Sequence, residues 1–175
     1  MNVIFLDYDG VVNIPMWEEK NDEYICRFNW PEDGKVNSYQ AVQWVSEFCQ
    51  KHDYKIVVSS TWRRYPNYKE CLLNAGLRED VEIIGATPCL NGTRGEEISK
   101  YLDEHPDITG YLIFDDEDDM GKHIDKLVKC NPNHGFMLTE FYAAETLHFA
   151  FNNDSSVKTY NSSDVSTDHD MRGGY

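Results

Sequence analysis

The chain has 175 residues, 41% of them apolar and 13% aromatic, enough hydrophobic material for one packed domain and too much for a wholly disordered chain. Sixteen Lys and Arg stand against 31 Asp and Glu, and the net charge of −15 repels polyanions and anionic lipid surfaces. This balance opposes binding to extended duplex nucleic acid, and no apolar run approaches the ~18 residues that a membrane span needs.

In chain order, Val3 to Leu6 is a continuous apolar run ending in Asp7-Tyr8-Asp9-Gly10, which predicts a strand buried on both faces and followed by a turn. Residues Val12 to Lys35 fit neither period, and Trp17, Tyr24, Phe28 and Trp30 among charges predict a hairpin flap beside that strand. Tyr39, Val42, Val45, Phe48 and Cys49 recur at helical spacing. Lys55 to Val58 is a second strand leading into Ser59-Ser60-Thr61, and Val81 to Ala86 reads as an outer strand. After Gly95-Glu96-Glu97, Ile98, Tyr101 and Leu102 mark a helix; Tyr111 to Phe114 is a third buried strand running into Asp115-Asp116. Lys126 to Cys130 is the other outer strand, and Thr139 to Phe151 a closing helix with Thr139 as its N-cap. From Asn152 onward polar residues dominate, and the tail is expected to be disordered. Strands alternating with helices imply an α/β fold with a mainly parallel sheet.

The five cysteines (Cys26, Cys49, Cys71, Cys89, Cys130) lack CxxC spacing, which disfavours a disulfide framework or a zinc site. With an N-terminus that has no basic leader, they point to a reducing, cytoplasmic setting.

Polar residues gather where the three central strands end, the place at which open parallel sheets form their ligand crevice. Asp7 and Asp9 are two residues apart, with Gly10 freeing the turn, and Asp115-Asp116 add carboxylates from another strand end. Such acids repel one another unless protonated or bridged by a cation, and oxygen ligands suit a hard ion such as Mg²⁺. Asp115 reads as an orienting group, and Glu117, Asp118 and Asp119 as a solvated acidic loop. Ser60 and Thr61 suit capping of the next turn; Arg63 is open between an ion pair and a substrate contact.

Ile4-Phe5-Leu6-Asp7-Tyr8-Asp9-Gly10-Val11-Val12 resembles the first motif of the haloacid dehalogenase (HAD) superfamily of phosphotransferases. Val57-Val58-Ser59 resembles its second motif and Ile113-Phe114-Asp115-Asp116 its fourth; Arg94 is the best-placed third-motif cation, with Lys100 as the alternative. The resemblance spans about residues 2 to 151. Ser59-Ser60-Thr61-Trp62-Arg63, Arg94 to Ile98 and Gly135 to Thr139 are more narrowly similar to a small-domain branch that includes phosphatase modules of RNA-repair proteins.

The resemblance implies a HAD-like, Rossmann-like domain over residues 1–151 with a small flap at about 12–35. The intervals from Asp7 to Ser59 and from Ser59 to Arg94 leave no room for a large cap. It also implies a Mg²⁺-dependent phosphomonoesterase. Asp7 is then the nucleophile that forms an aspartyl phosphate, and Asp9 the acid and base. Mg²⁺ is held by Asp7, the Asp9 carbonyl and Asp116, and Ser59 and Arg94 bind phosphoryl oxygens. The expected substrates are phosphorylated small molecules such as nucleotides, or nucleic-acid ends. The competing reading is a non-catalytic module that binds a phosphorylated or protein partner.

Overall fold

The computed structural model describes residues 1–20, 23–27 and 36–157. In chain order come β1 (Asn2–Leu6), β2 (Met16–Lys20), β3 (Glu23–Arg27), α1 (Tyr39–His52), β4 (Tyr54–Val58) and α2 (Tyr68–Asn74). They are followed by β5 (Ile83–Ala86), α3 (Arg94–Glu104), β6 (Gly110–Asp115), β7 (Leu127–Lys129) and α4 (Leu138–Val157). Five strands form one parallel sheet in the order β5-β4-β1-β6-β7, while β2 and β3 pair antiparallel as a separate hairpin. The α/β architecture is therefore the Rossmann-like one expected from the alternation of elements.

The apolar runs lack alternation because both faces of the sheet are covered. Ile4 and Leu6 of β1 pack with Ile56, Val58, Leu112 and Phe114 against α1, α2 and α4. Val3 and Phe5 point the other way, joining Val57, Ile113 and the Ile98 and Tyr101 side chains of α3. All of these residues but Tyr101 are fully buried, each contributing about 1.5–3 kcal/mol of hydrophobic stabilisation.

Several boundaries differ from the sequence pattern. Tyr39 opens α1 but is 64% exposed, because the buried stripe is Ala41, Val42, Val45, Phe48 and Cys49, and Tyr39 faces away from it. Thr139 does not cap α4. The helix begins at Leu138, and the Glu140 carboxylate reaches back to accept the Met137 N–H at 3.0 Å, so Thr139 lies inside the first turn. The same helix continues beyond Phe151 to Val157, and the rest of the polar tail lies outside the described residues. Phe28 and Trp30 likewise lie outside them. Cys49, Cys71, Cys89 and Cys130 are all free thiols.

The hairpin leaves and rejoins the core through a closed stem. Ser38 N–H donates to Val12 O at 3.1 Å, and Asn37 spans the gap, its Oδ1 accepting from Ile14 N–H at 2.8 Å and its Nδ2 donating to Ile14 O at 2.6 Å.

Candidate active site

Strand register assembles the site. Leu6 of β1 is level with Val58 of β4 and Phe114 of β6, so Asp7, Ser59 and Asp115 form the next row across the sheet. The ladder continues through that row, with Asp7 N–H bonded to Phe114 O (3.0 Å) and Ser59 N–H to Leu6 O (2.9 Å). Thr87 joins it beyond β5 through its bond to Val58 O (3.0 Å). The period of two then sets direction: Asp7, Ser59 and Asp115 share the parity of Phe5, Val57 and Ile113, the residues that face α3.

The first residue of α3 is Arg94. Its Nη2 lies 3.4 Å from Asp7 Oδ1 and its Nε 3.2 Å from Asp115 Oδ2, whereas Lys100 is exposed and paired with Glu104 at 2.9 Å. A cation at a helix N-terminus opposes the helix dipole, so this placement has to be stabilised locally. Thr93 and Glu96 form a reciprocal capping box, and Asp119 Oδ2 accepts the Arg94 N–H at 2.9 Å. Asp119 is thus exposed yet engaged, while Asp118 pairs with Lys129 at 2.7 Å. Gly95 allows the helix start to lie against the Met120 carbonyl; a Cβ there would sit 2.2 Å from that oxygen.

Burial dominates the electrostatics. The Asp7 carboxyl is pushed up to about 7 by burial, against the pull of Arg94 and of hydrogen bonds from Ser60 and the Tyr8 backbone. Asp115 rises to about 8 through burial and the Asp7 charge, and burial also raises Asp116. Asp7, Asp115 and Asp116 present carboxylate oxygens within 4.8 Å of one another. An all-oxygen cluster whose members resist ionising together fits a hard divalent cation. Asp116 lies against Gly10, whose φ of +75° carries the chain past it. Asp115 is in this cluster but also held from the side, its Oδ1 accepting the Glu117 N–H at 2.9 Å. Ser59 Oγ, fully buried, and Thr87 Oγ1 have no hydrogen-bond partner among the described residues, leaving two hydroxyls of the row for a ligand.

The Asp9 side chain is not in the carboxylate cluster. Its Oδ2 accepts from Trp62 Nε1 at 3.0 Å and its Oδ1 from Asn13 Nδ2 at 2.7 Å. Arg63 proves to be a structural ion pair, bonded to Glu97 at 2.6 Å with both side chains almost wholly buried. Glu97 also accepts the Leu90 N–H at 3.0 Å. Sequence reasoning missed Glu97, Thr87 and the Trp62 contact. Two of the three carried a signal: Glu97 is four residues from Tyr101 on the apolar stripe of α3, and Thr87 follows its strand as Ser59 follows β4.

A five-stranded parallel sheet with this aspartate-bearing row at its carboxyl edge, and an arginine brought in by α3, defines a HAD-like domain. More narrowly, residues 3–141 match the family described as HAD domain in Swiss Army Knife RNA repair proteins, and the chain belongs to that family. No curated protein and no solved structure is matched. Membership supports a phosphatase-type HAD function. No helix among the described residues is long and apolar enough to cross a membrane.

Proposed function

We propose that the protein is a Mg²⁺-dependent phosphomonoesterase acting on phosphorylated nucleic-acid ends or nucleotides. The observation that carries this reading is the buried Asp7 carboxylate, in one row with Ser59 and Asp115 and within 3.4 Å of Arg94. An Asp7 oxygen attacks phosphorus in line, the bond to the leaving oxygen breaks, and the phosphoryl group rests on Asp7 as an acyl phosphate. Asp9 gives its proton to the leaving oxygen and takes one from the water that then attacks phosphorus, restoring Asp7 and releasing phosphate. Trp62 and Asn13 orient Asp9 for both transfers. Ser59 and Arg94 bind the non-bridging oxygens.

Asp7, Asp116 and the Asp9 carbonyl are the residues that would hold Mg²⁺, with Asp115 bracing Arg94 beside them. The ion would offset the repulsion between carboxylate and phosphate. Among the described residues Cys49, Cys71, Cys89 and Cys130 form no disulfide, which supports a reducing, cytoplasmic setting. The test is phosphate release with Mg²⁺ from 3′- and 5′-mononucleotides, phosphorylated oligonucleotide ends, sugar phosphates and phosphopeptides. Release should be abolished by EDTA and by Asp7→Asn. Silence across the panel, from protein that binds a phosphorylated partner tightly, would replace this reading with the non-catalytic module.

A further inference from the structure

Beside the Asp7 row lies a cleft of about 180 Å³ lined by Thr61, Arg64, Gly92, Arg94, Glu117 and Asp119 among others. It leaves room for a phosphate group with part of a sugar. Its two walls differ in charge. Thr61 and Arg64, from the turn after β4, bring a hydroxyl and a guanidinium, while Glu117 and Asp119, from the loop after β6, bring carboxylates.

Arg64 stands apart among the arginines whose side chains are described. Arg63, Arg78 and Arg94 each pair with a carboxylate, whereas exposed Arg64 makes no hydrogen bond or ion pair with another described residue. It shares the cleft with Arg94, whose Nη2 lies 3.4 Å from Asp7 Oδ1, so an anion on Arg64 lies beside the cation that faces the nucleophile. The acidic wall repels a second phosphate and accepts hydrogen bonds from sugar hydroxyls, which assigns the phosphate to the Thr61 and Arg64 side.

We propose that this cleft is a second phosphate subsite, in which Arg64 binds the phosphoryl group or phosphodiester next along the substrate from the one removed. This rests on the phosphatase reading of the Asp7 site and narrows its substrate class. The preferred substrate carries at least two phosphorus centres separated by a sugar, as a nucleoside bisphosphate or a phosphorylated oligonucleotide end does. Simple mononucleotides leave Arg64 without a partner.

Binding, measured by calorimetry on the Asp7→Asn variant with Mg²⁺ so that turnover does not intervene, is the test. The probes are adenosine 3′,5′-bisphosphate, the adenosine 3′- and 5′-monophosphates, and a single-stranded tetranucleotide with a terminal phosphate. The bisphosphate should bind about ten- to a hundredfold more tightly than either monophosphate, the value of one charged hydrogen-bonded contact. Adding Arg64→Gln should erase that ratio, Arg64→Lys should keep part of it, and Lys122→Gln, which removes a charge outside the cleft, should leave it intact. If the tetranucleotide shows the same Arg64 dependence, with a salt slope reduced by about 0.7 in Arg64→Gln, a polynucleotide end is the source of the second phosphate. Dependence confined to the bisphosphate supports the subsite and assigns it to small molecules. Equal affinity for bisphosphate and monophosphates, or a preference that survives Arg64→Gln, would overturn the proposal. An Arg64-dependent preference in a protein that releases no phosphate from the panel would reject the phosphatase reading and leave the subsite standing.

Discussion

Gly10→Ala separates backbone strain from damage to the carboxylates proposed to hold Mg²⁺. Gly10 has a φ of +75°, and a Cβ built on it would lie 2.4 Å from Asp116 Cγ and 2.8 Å from its Cβ. Ordinary carbon contacts begin near 3.5 Å, so the Asp116 side chain must retreat by about 1 Å. The left-handed conformation alone costs an alanine about 1–2 kcal/mol, which for a domain of this size lowers Tm by roughly 3–6 °C. Displacing a ligand by about 1 Å should add a rise of roughly ten- to a hundredfold in the Mg²⁺ concentration for half-maximal activity, and a loss of about a hundredfold in turnover. Gly121→Ala is the matched control, since Gly121 has a φ of +55° and nothing lies within 4 Å of where its new methyl group would sit. Both variants should unfold earlier in a thermal scan, and only Gly10→Ala should lose Mg²⁺ response and phosphate release. Equal Mg²⁺ titrations for the two variants would refute the placement of Asp116 as a ligand.

Three further outcomes follow from the site. Glu97→Gln removes one partner of the buried Arg63 pair and should cost about 3–5 kcal/mol in chemical denaturation, with a smaller loss contradicting a desolvated ion pair. Trp62→Phe deletes the indole N–H on Asp9 while keeping an aromatic ring; turnover of alkyl phosphates, which need a proton on the leaving oxygen, should fall more than that of aryl phosphates. A uniform loss would deny Trp62 its orienting role. Asp7 at about 7 and Asp115 at about 8 stand above their ordinary 3.8, so without metal their contribution to stability is complete below 3.8 and is lost progressively as pH rises from there to about 8. A cation favours the ionised forms, and the Tm difference between Mg²⁺ and EDTA samples should widen from pH 5 to pH 9; a constant difference would exclude the cluster as the binding site.

Much of the site was legible because parallel strands advertise themselves as short apolar runs and place their functional residues immediately after them. Asp7, Ser59, Asp115 and Asp116 needed only that rule. Spacing favours Arg94 and leaves Lys100 as an alternative; the docking of α3, with Gly95 against the Met120 carbonyl, is what brings Arg94 to Asp7. Helix ends were read less well than strand ends: Thr139 has the right chemistry for a cap, but Glu140 reaches Met137 from inside the helix. The Arg63 and Glu97 pair joins two segments far apart in sequence, and only tertiary packing reveals that each neutralises the other. Likewise no local pattern marks Trp62 as a donor to Asp9 across the row.

The closed stem formed by Val12, Ile14, Asn37 and Ser38 has a consequence for how such a protein diversifies. With both ends of the insertion tied to each other, the entropic cost of changing its length is small, about 0.6 kcal/mol for a doubling. Selection can therefore exchange the inserted segment as a cartridge, trading one set of contacts for another, while the row of Asp7, Ser59 and Asp115 inherits no strain from the swap. A library that keeps Asn37 and randomises the segment between the stem residues would vary that surface above an unchanged Asp7 row.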